Sequence, residues 1–410
     1  MHKRLGPSDI HGDKQSHSRP VSKYGVNSSG NPEKHWIPGQ ARNDKPYKIY
    51  ATMYKCILTS SVVAAVVAFL IFVPLSHVEG NAQGTRSVTD RIGRTVKVPS
   101  EPKRIACFFG PSYEKVFLLG SADKVAVMSI RQPPWAQRLN PNLKKVPLMP
   151  SYSDPDVERI LELGIDLVFY WAFPQQIEKM SAAGIPVVCL LSGSKLPANL
   201  EAYITEYKEE IRLYGEVLGE KAKKIASAYC AYYDKKISRV LSITSKIPVS
   251  QRPKVYYISG RNVFGTQGRY SLGHWLVEMA GGTFVAKDLT QYLVDVSMEQ
   301  IITWNPDVIV VGGLTSPDAI LTDPRWQEIK AVTEKKIYTA PEGVFIWGHG
   351  SSEVFLFVIY LAKILHPDKF SDLNLEQEVK DYYAQFYHYN LSNDEVNRIL
   401  NHLPPVDFER

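Results

Sequence analysis

The chain predicts an α/β protein of two Rossmann-like lobes with parallel sheets, bridged by a single long α-helix. Three observations carry that expectation. From Arg104 onward, short β-branched runs alternate with amphipathic stretches: "RIACFF", "YEKVFLLG", "KVAVM", "VERILELG", "DLVFYW", "QQIEKMSAAG", "PVVCLL". Strands alternating with helices imply a parallel sheet covered on both faces. Next, "DVERILELGIDLVFYW" from Asp156 is echoed 141 residues later by "SMEQIITWNPDVIVVGG" from Ser297, with Glu158 and Glu299, Ile160 and Ile301, and Asp166 and Asp307 in step. Each copy reads as a helix, a tight turn and a buried strand, so the chain holds two such units. Between them, Ile225, Tyr229, Tyr232, Tyr233, Ile237, Val240 and Leu241 recur in steps of three and four, the mark of one continuous helix.

Taken in order, residues 1–52 hold nine Lys/Arg against four Asp/Glu and show no helical or strand period. They read as a disordered or spurious leader. They carry nearly all of the net charge of +6, so the remainder gives no reason to expect a nucleic-acid partner. Residues 53–82 read as a signal peptide: a short basic start, an unbroken apolar run from Val62 to Leu75, and small residues at Gly80 and Ala82. Met53 is then the expected start. An uncleaved anchor through residues 57–75 is the alternative reading of the same stretch. Either way the protein is expected to be exported.

The first lobe is expected over 83–218 and the linking helix over 219–246, with Pro248 and Pro253 bracketing its exit. The second lobe follows over 247–410, through "PKVYYISG", "SLGHWLVEMAGG", "MEQIITWN", "DVIVVGG", "KIYTA" and "SEVFLFVIYLAKIL", and ends in a helical extension. Beyond the leader the cysteines are Cys107, Cys189 and Cys230, each in an apolar or helical pattern. They read as buried thiols, with a Cys107 to Cys189 bridge left open.

Open α/β sheets hold ligands at the carboxyl ends of their strands. The loops expected there carry Tyr113, Trp135, Trp171, Phe173, Tyr270 and Trp347, flat apolar rings, together with Arg131, Arg261 and Arg269, forked donors to anionic oxygens. That set suits a bulky, partly aromatic anion better than a sugar. His349 in "FIWGHGSSE" is a candidate metal ligand and Tyr270 a second. No G-x-G-x-x-G follows a strand, and "WGHGSSE" and "LSGSK" both miss the G-x-S-x-G elbow, so no enzyme activity and no intrinsic cofactor are expected.

The order of "RIGRTVKVPSEPKRIACFFGPSYEKVFLLGSADKVAVMS", "DPDVERILELGIDLVFYW", the linking helix, "YSLGHWLVEMAGG" and "VSMEQIITWNPDVIVVGG" resembles the substrate-binding proteins of ABC importers for iron chelates, haem and cobalamin. The likeness runs over about residues 88–370. It implies a monomeric periplasmic protein that traps a small-molecule chelate between two lobes and presents it to a permease driven by an ATPase subunit. An iron(III)-siderophore-type chelate is the expected cargo, with a cobalamin-type corrinoid or haem as alternatives and a ligand-sensing module for a membrane receptor as a rival role. The resemblance also implies that Glu158 and Glu299 dock onto permease arginines.

Overall fold

The computed structural model describes residues 84–108, 110–150, 153–191 and 196–408. The expected leader (1–52) and the signal or anchor segment (53–82) lie outside the described residues. A hairpin of β1 (Thr85–Thr89) and β2 (Thr95–Pro99) opens the fold. The first sheet contains β3 (Ile105–Cys107), β4 (Val125–Met128), β5 (Leu167–Tyr170) and β6 (Val187–Cys189), all parallel, in the order β4-β3-β5-β6.

The second sheet contains β7 (Lys254–Ile258), β8 (Gly265–Gln267), β9 (Thr283–Phe284), β10 (Leu293–Asp295), β11 (Val308–Val311) and β12 (Ile337–Thr339). Its order is β10-β8-β7-β11-β12, with β9 also on β7. It departs from an all-parallel expectation, because β8 runs antiparallel to β7 and β10 antiparallel to β8. The stretch between β7 and β8 is too short for a helical crossover, so the chain must turn back on itself.

Period-two burial shows what each sheet face does. In the first sheet Ile105, Cys107, Leu167, Phe169 and Val188 face one apolar cluster, while Ala106, Val168, Tyr170, Val187 and Cys189 face another. In the second, Val255, Tyr257, Val308 and Val310 join the former cluster, and Tyr256, Ile258, Ile309 and Val311 form a third. Each sheet thus has a private outer core, and both inner faces share one continuous core with the helices between them. Those helices include Leu200–Leu218, Glu220–Thr244 and Val354–Leu365.

The linking helix is present as Glu220–Thr244, about 37 Å long at 1.5 Å per residue. It is not a lone rod. Leu200–Leu218 packs along it after a break at Gly219, whose φ of 109° a side chain would disfavour. The C-terminal extension also departs from the expectation that it belongs to the second lobe. Past the helix Leu375–Tyr382 and a π-helical turn at Tyr383–Tyr387 it returns to the first lobe, where the Trp135 indole N–H donates to the Leu403 carbonyl at 2.9 Å and Arg138 pairs with Asp407 at 2.5 Å.

The three described cysteines are free and buried. A Cys107–Cys189 bridge is excluded by the sheet itself: β5 separates their strands, and the two thiols face opposite cores. Burial pushes the Cys107 thiol up to about 12 and that of Cys189 up to about 11, so both are inert. Among the described residues no helix is long and apolar enough to cross a membrane.

Candidate functional site

Arg131, Trp171, Phe173, Arg261, Trp347 and His349 follow the carboxyl ends of β4, β5, β7 and β12, whereas Arg269 and Tyr270 follow the antiparallel β8. Arg131 follows β4 and is exposed, its guanidinium donating to the Leu143 carbonyl at 3.3 Å. Trp171 and Phe173 follow β5 and are half-buried, the Phe173 ring lying 5.8 Å from that of Tyr170. Arg261 follows β7 and is exposed. Arg269 is exposed above the Tyr270 ring at 5.3 Å, and Tyr270 stacks at 5.8 Å on Trp275. Tyr270 sits at φ 64°, a left-handed conformation uncommon for a bulky residue and held here by its N–H donating to His274 Nδ1 at 2.9 Å.

Three expected ligand walls are corrected. Tyr113, Trp135 and Trp347 are each 0% exposed and lie in the shared core, so none offers surface to a ligand. Tyr113 accepts a hydrogen bond from the Asn140 amide at 3.0 Å, and Trp135 pins the C-terminal extension. A ring near a strand end looks the same in sequence whether it turns inward to pack or outward to line a cleft.

His349 is half-buried, and its Nε2 lies 2.7 Å from the Gly312 carbonyl. A carbonyl only accepts, so Nε2 carries the proton and only Nδ1 keeps a lone pair. Desolvation, more than any neighbour, holds the imidazole below its ordinary pKa and keeps it neutral. Gly312 must be glycine: a Cβ there would stand 2.5 Å from the Ile258 carbonyl oxygen. Among the described residues no group of three or more His, Cys, Asp or Glu is placed to hold a metal ion.

Sequence reasoning missed the polar hub that joins the lobes beneath this rim. Glu114, in the helix after β3, accepts from the Ser352 N–H at 2.9 Å, from the Ser352 hydroxyl and from the Tyr387 hydroxyl at 2.5 Å. Lys115 beside it donates to the Gly350 carbonyl and pairs with Glu210 at 3.3 Å. Tyr229 of the linking helix donates to the Ser352 carbonyl at 2.5 Å. Glu353 accepts from the Phe345 N–H at 2.9 Å and the Tyr383 hydroxyl at 2.5 Å. Burial, then the charge of Glu114, pushes Glu353 up to about 8. A clue lay in "SYEKVFL": with Tyr113, Val116 and Leu118 needed for the core, a seven-residue helix has no room to send both charges to water. Phe345 was also missed. Its ring passes from the second lobe to within 3.5 Å of the point where a Cβ on Gly110 of the first lobe would stand.

The echoed segments fold alike. Val157–Glu162 and Met298–Trp304 are helices capped by Asp156 and Ser297, whose side chains accept from Arg159 N and Gln300 N. Ile160 and Ile301 are fully buried, and Gly164 and Asn305 leave each helix at φ 58° and 40°. Asp166 then accepts from the N–H groups of Lys103 and Arg104, and Asp307 from that of Lys254 at 2.7 Å, so each clamps the start of the neighbouring strand. A crossover helix runs back against its strands, which places both helix starts level with the strand ends that form the rim. Glu158 and Glu299 occupy those starts and are exposed.

Two α/β lobes on a common helical spine, with one inner core shared between their sheets, give the architecture of a bilobal binding protein. The chain belongs to the periplasmic binding protein family, whose match covers residues 105–343. It is 28% identical over 352 residues to the molybdate-binding protein MolA of Haemophilus influenzae, covering 81% of this chain and 99% of that one. The structure of MolA bound to molybdate superposes with a TM-score of 0.69 at 26% identity, over 75% of this chain and 99% of MolA. A periplasmic solute binding protein from Veillonella parvula gives 0.63 at 28% identity, over 78% and 97%. The vitamin B12-binding protein of Pectobacterium carotovorum is 25% identical over 237 residues, 56% of this chain and 78% of its own. The chain is accordingly the solute-binding component of an ABC importer and not an enzyme.

Proposed function

We propose that this protein captures a small tetrahedral oxyanion of the molybdate type between its lobes and delivers it to the permease. The observation that carries this reading is the burial of Tyr113, Trp135 and Trp347, which withdraws half of the expected ring walls from the cleft, while Arg131 and Arg261, after the carboxyl ends of β4 and β7, stay exposed. Guanidinium groups bind compact oxyanions through forked, charge-assisted hydrogen bonds. Kinship with a molybdate-binding protein over nearly that protein's whole length supports the same class. A second reading, an iron(III) chelate or corrinoid, draws on Trp171 and Phe173, half-buried rings that follow the carboxyl end of β5.

Thermal shift and calorimetry with molybdate, tungstate, sulfate, a ferric hydroxamate, cobalamin and haem separate the two. A true ligand at about a hundredfold excess over its Kd stabilises the fold by about 2.7 kcal/mol. Molybdate and tungstate are expected to raise the melting temperature, and Arg131→Ala and Arg261→Ala to weaken the effect. A shift with the ferric chelate or cobalamin and none with the oxyanions overturns the oxyanion reading.

On the permease side, we assign docking to Glu158 and Glu299. Equivalent exposed carboxylates at the rim, one per lobe, suit two cationic points on the membrane partner. Hydrogen bonding to Ser297 holds Glu299 below the usual carboxylate range, so it stays ionised in mildly acidic surroundings. Glu158→Lys with Glu299→Lys is expected to abolish uptake while ligand binding persists in solution. Undiminished uptake would remove the assignment.

A further inference from the structure

The echoed helices share one feature that folding does not use. Leu161 and Ile302 are large aliphatic side chains left 51% and 53% exposed, three residues after Glu158 and Glu299. Every other matched pair named above has work inside the molecule: capping, core packing, the left-handed exit or the strand clamp. A lone exposed aliphatic residue needs no explanation. Two at one register of a structural repeat, each adjacent on the helix surface to a rim carboxylate, are a different observation.

We infer that Leu161 and Ile302 are the apolar halves of two matched docking points, each pairing an aliphatic anchor with a carboxylate, and that the permease presents a cation beside an apolar hollow at two places. The inference rests on the docking role of Glu158 and Glu299. Charge complementarity selects the partner, since the carboxylates call for cations. The aliphatic groups exclude water around each ion pair, and a desolvated pair attracts more strongly than one in bulk solvent. The neighbouring charge on the first helix is already matched, because Arg159 pairs with Glu162 at 2.9 Å and leaves Glu158 as the carboxylate offered outward beside Leu161.

The test uses the permease and ATPase subunits in proteoliposomes and reads ATP hydrolysis against the concentration of added binding protein. Leu161→Asn and Ile302→Asn are each expected to raise the half-saturating concentration about tenfold, and the double variant further, with the melting temperature unchanged because both side chains are largely exposed. Leu161→Met and Ile302→Val restore the wild-type value. Val249→Asn, at a 70% exposed position outside the repeat, leaves it unaltered. If Glu158→Lys and Glu299→Lys collapse the stimulation while both Asn variants match wild type, the aliphatic anchors are overturned and carboxylate docking stands. If neither set has any effect, both are overturned.

Discussion

Tyr383 and the Phe345 N–H both donate to Glu353, yet burial and the Glu114 charge outweigh them and raise its pKa from 4.5 to about 8. The folded protein therefore keeps a proton on Glu353 where the unfolded chain has released it. That stabilisation is complete below pH 4.5 and is lost as pH rises from there to about 8. Glu353→Gln removes the titration. The melting temperature of wild type relative to this variant is expected to fall across that window, and a constant difference would place the proton elsewhere. Trp135→Phe is a second test at this scale. It leaves the Leu403 carbonyl without its donor, with an expected loss of about 1–2 kcal/mol in denaturant unfolding. Neither residue's role was legible beforehand, because inward and outward rings and charges share the same local pattern, and only tertiary packing separates Trp135 from Trp171.

Among elements, the strands of the parallel sheets were legible as short apolar, β-branched runs, because a strand with a core on each face needs apolar side chains at nearly every position. The linking helix was legible from its apolar period of 3.6, and its observed ends fall within two residues of 219–246. Its companion Leu200–Leu218 was overlooked, although Tyr203, Tyr207, Ile211, Tyr214 and Leu218 mark a buried stripe at steps of three and four. The pair approaches so closely at Gly215 that a Cβ there would lie 2.7 Å from Ala226 Cβ. Gly215→Val is expected to force the helices apart at a cost of about 1–3 kcal/mol, read as a lowered denaturation midpoint. An unchanged midpoint would mean that the helical pair yields more easily than its packing implies. The antiparallel strands β8 and β10 were not foreseen either, because "GTQ" and "LVD" lie among glycines and polar residues rather than in the apolar runs that mark the equally short β3 and β6.

For the whole molecule, the shared inner core makes the two sheets one folding unit despite their separate outer cores. Calorimetry is expected to give a single transition with matching calorimetric and van't Hoff enthalpies, and two resolved transitions would refute that unity. Two-lobed organisation was legible from the echo, whereas the return of the extension to the first lobe was not, since nothing local at Leu403 or Tyr387 names Trp135 or Glu114 as partner. That return fixes an order of events during synthesis. A nascent chain emerging from its amino end exposes Glu114 and Trp135 long before Tyr387 and Leu403 exist, so the opening lobe stays unfinished until the last stretch has been made.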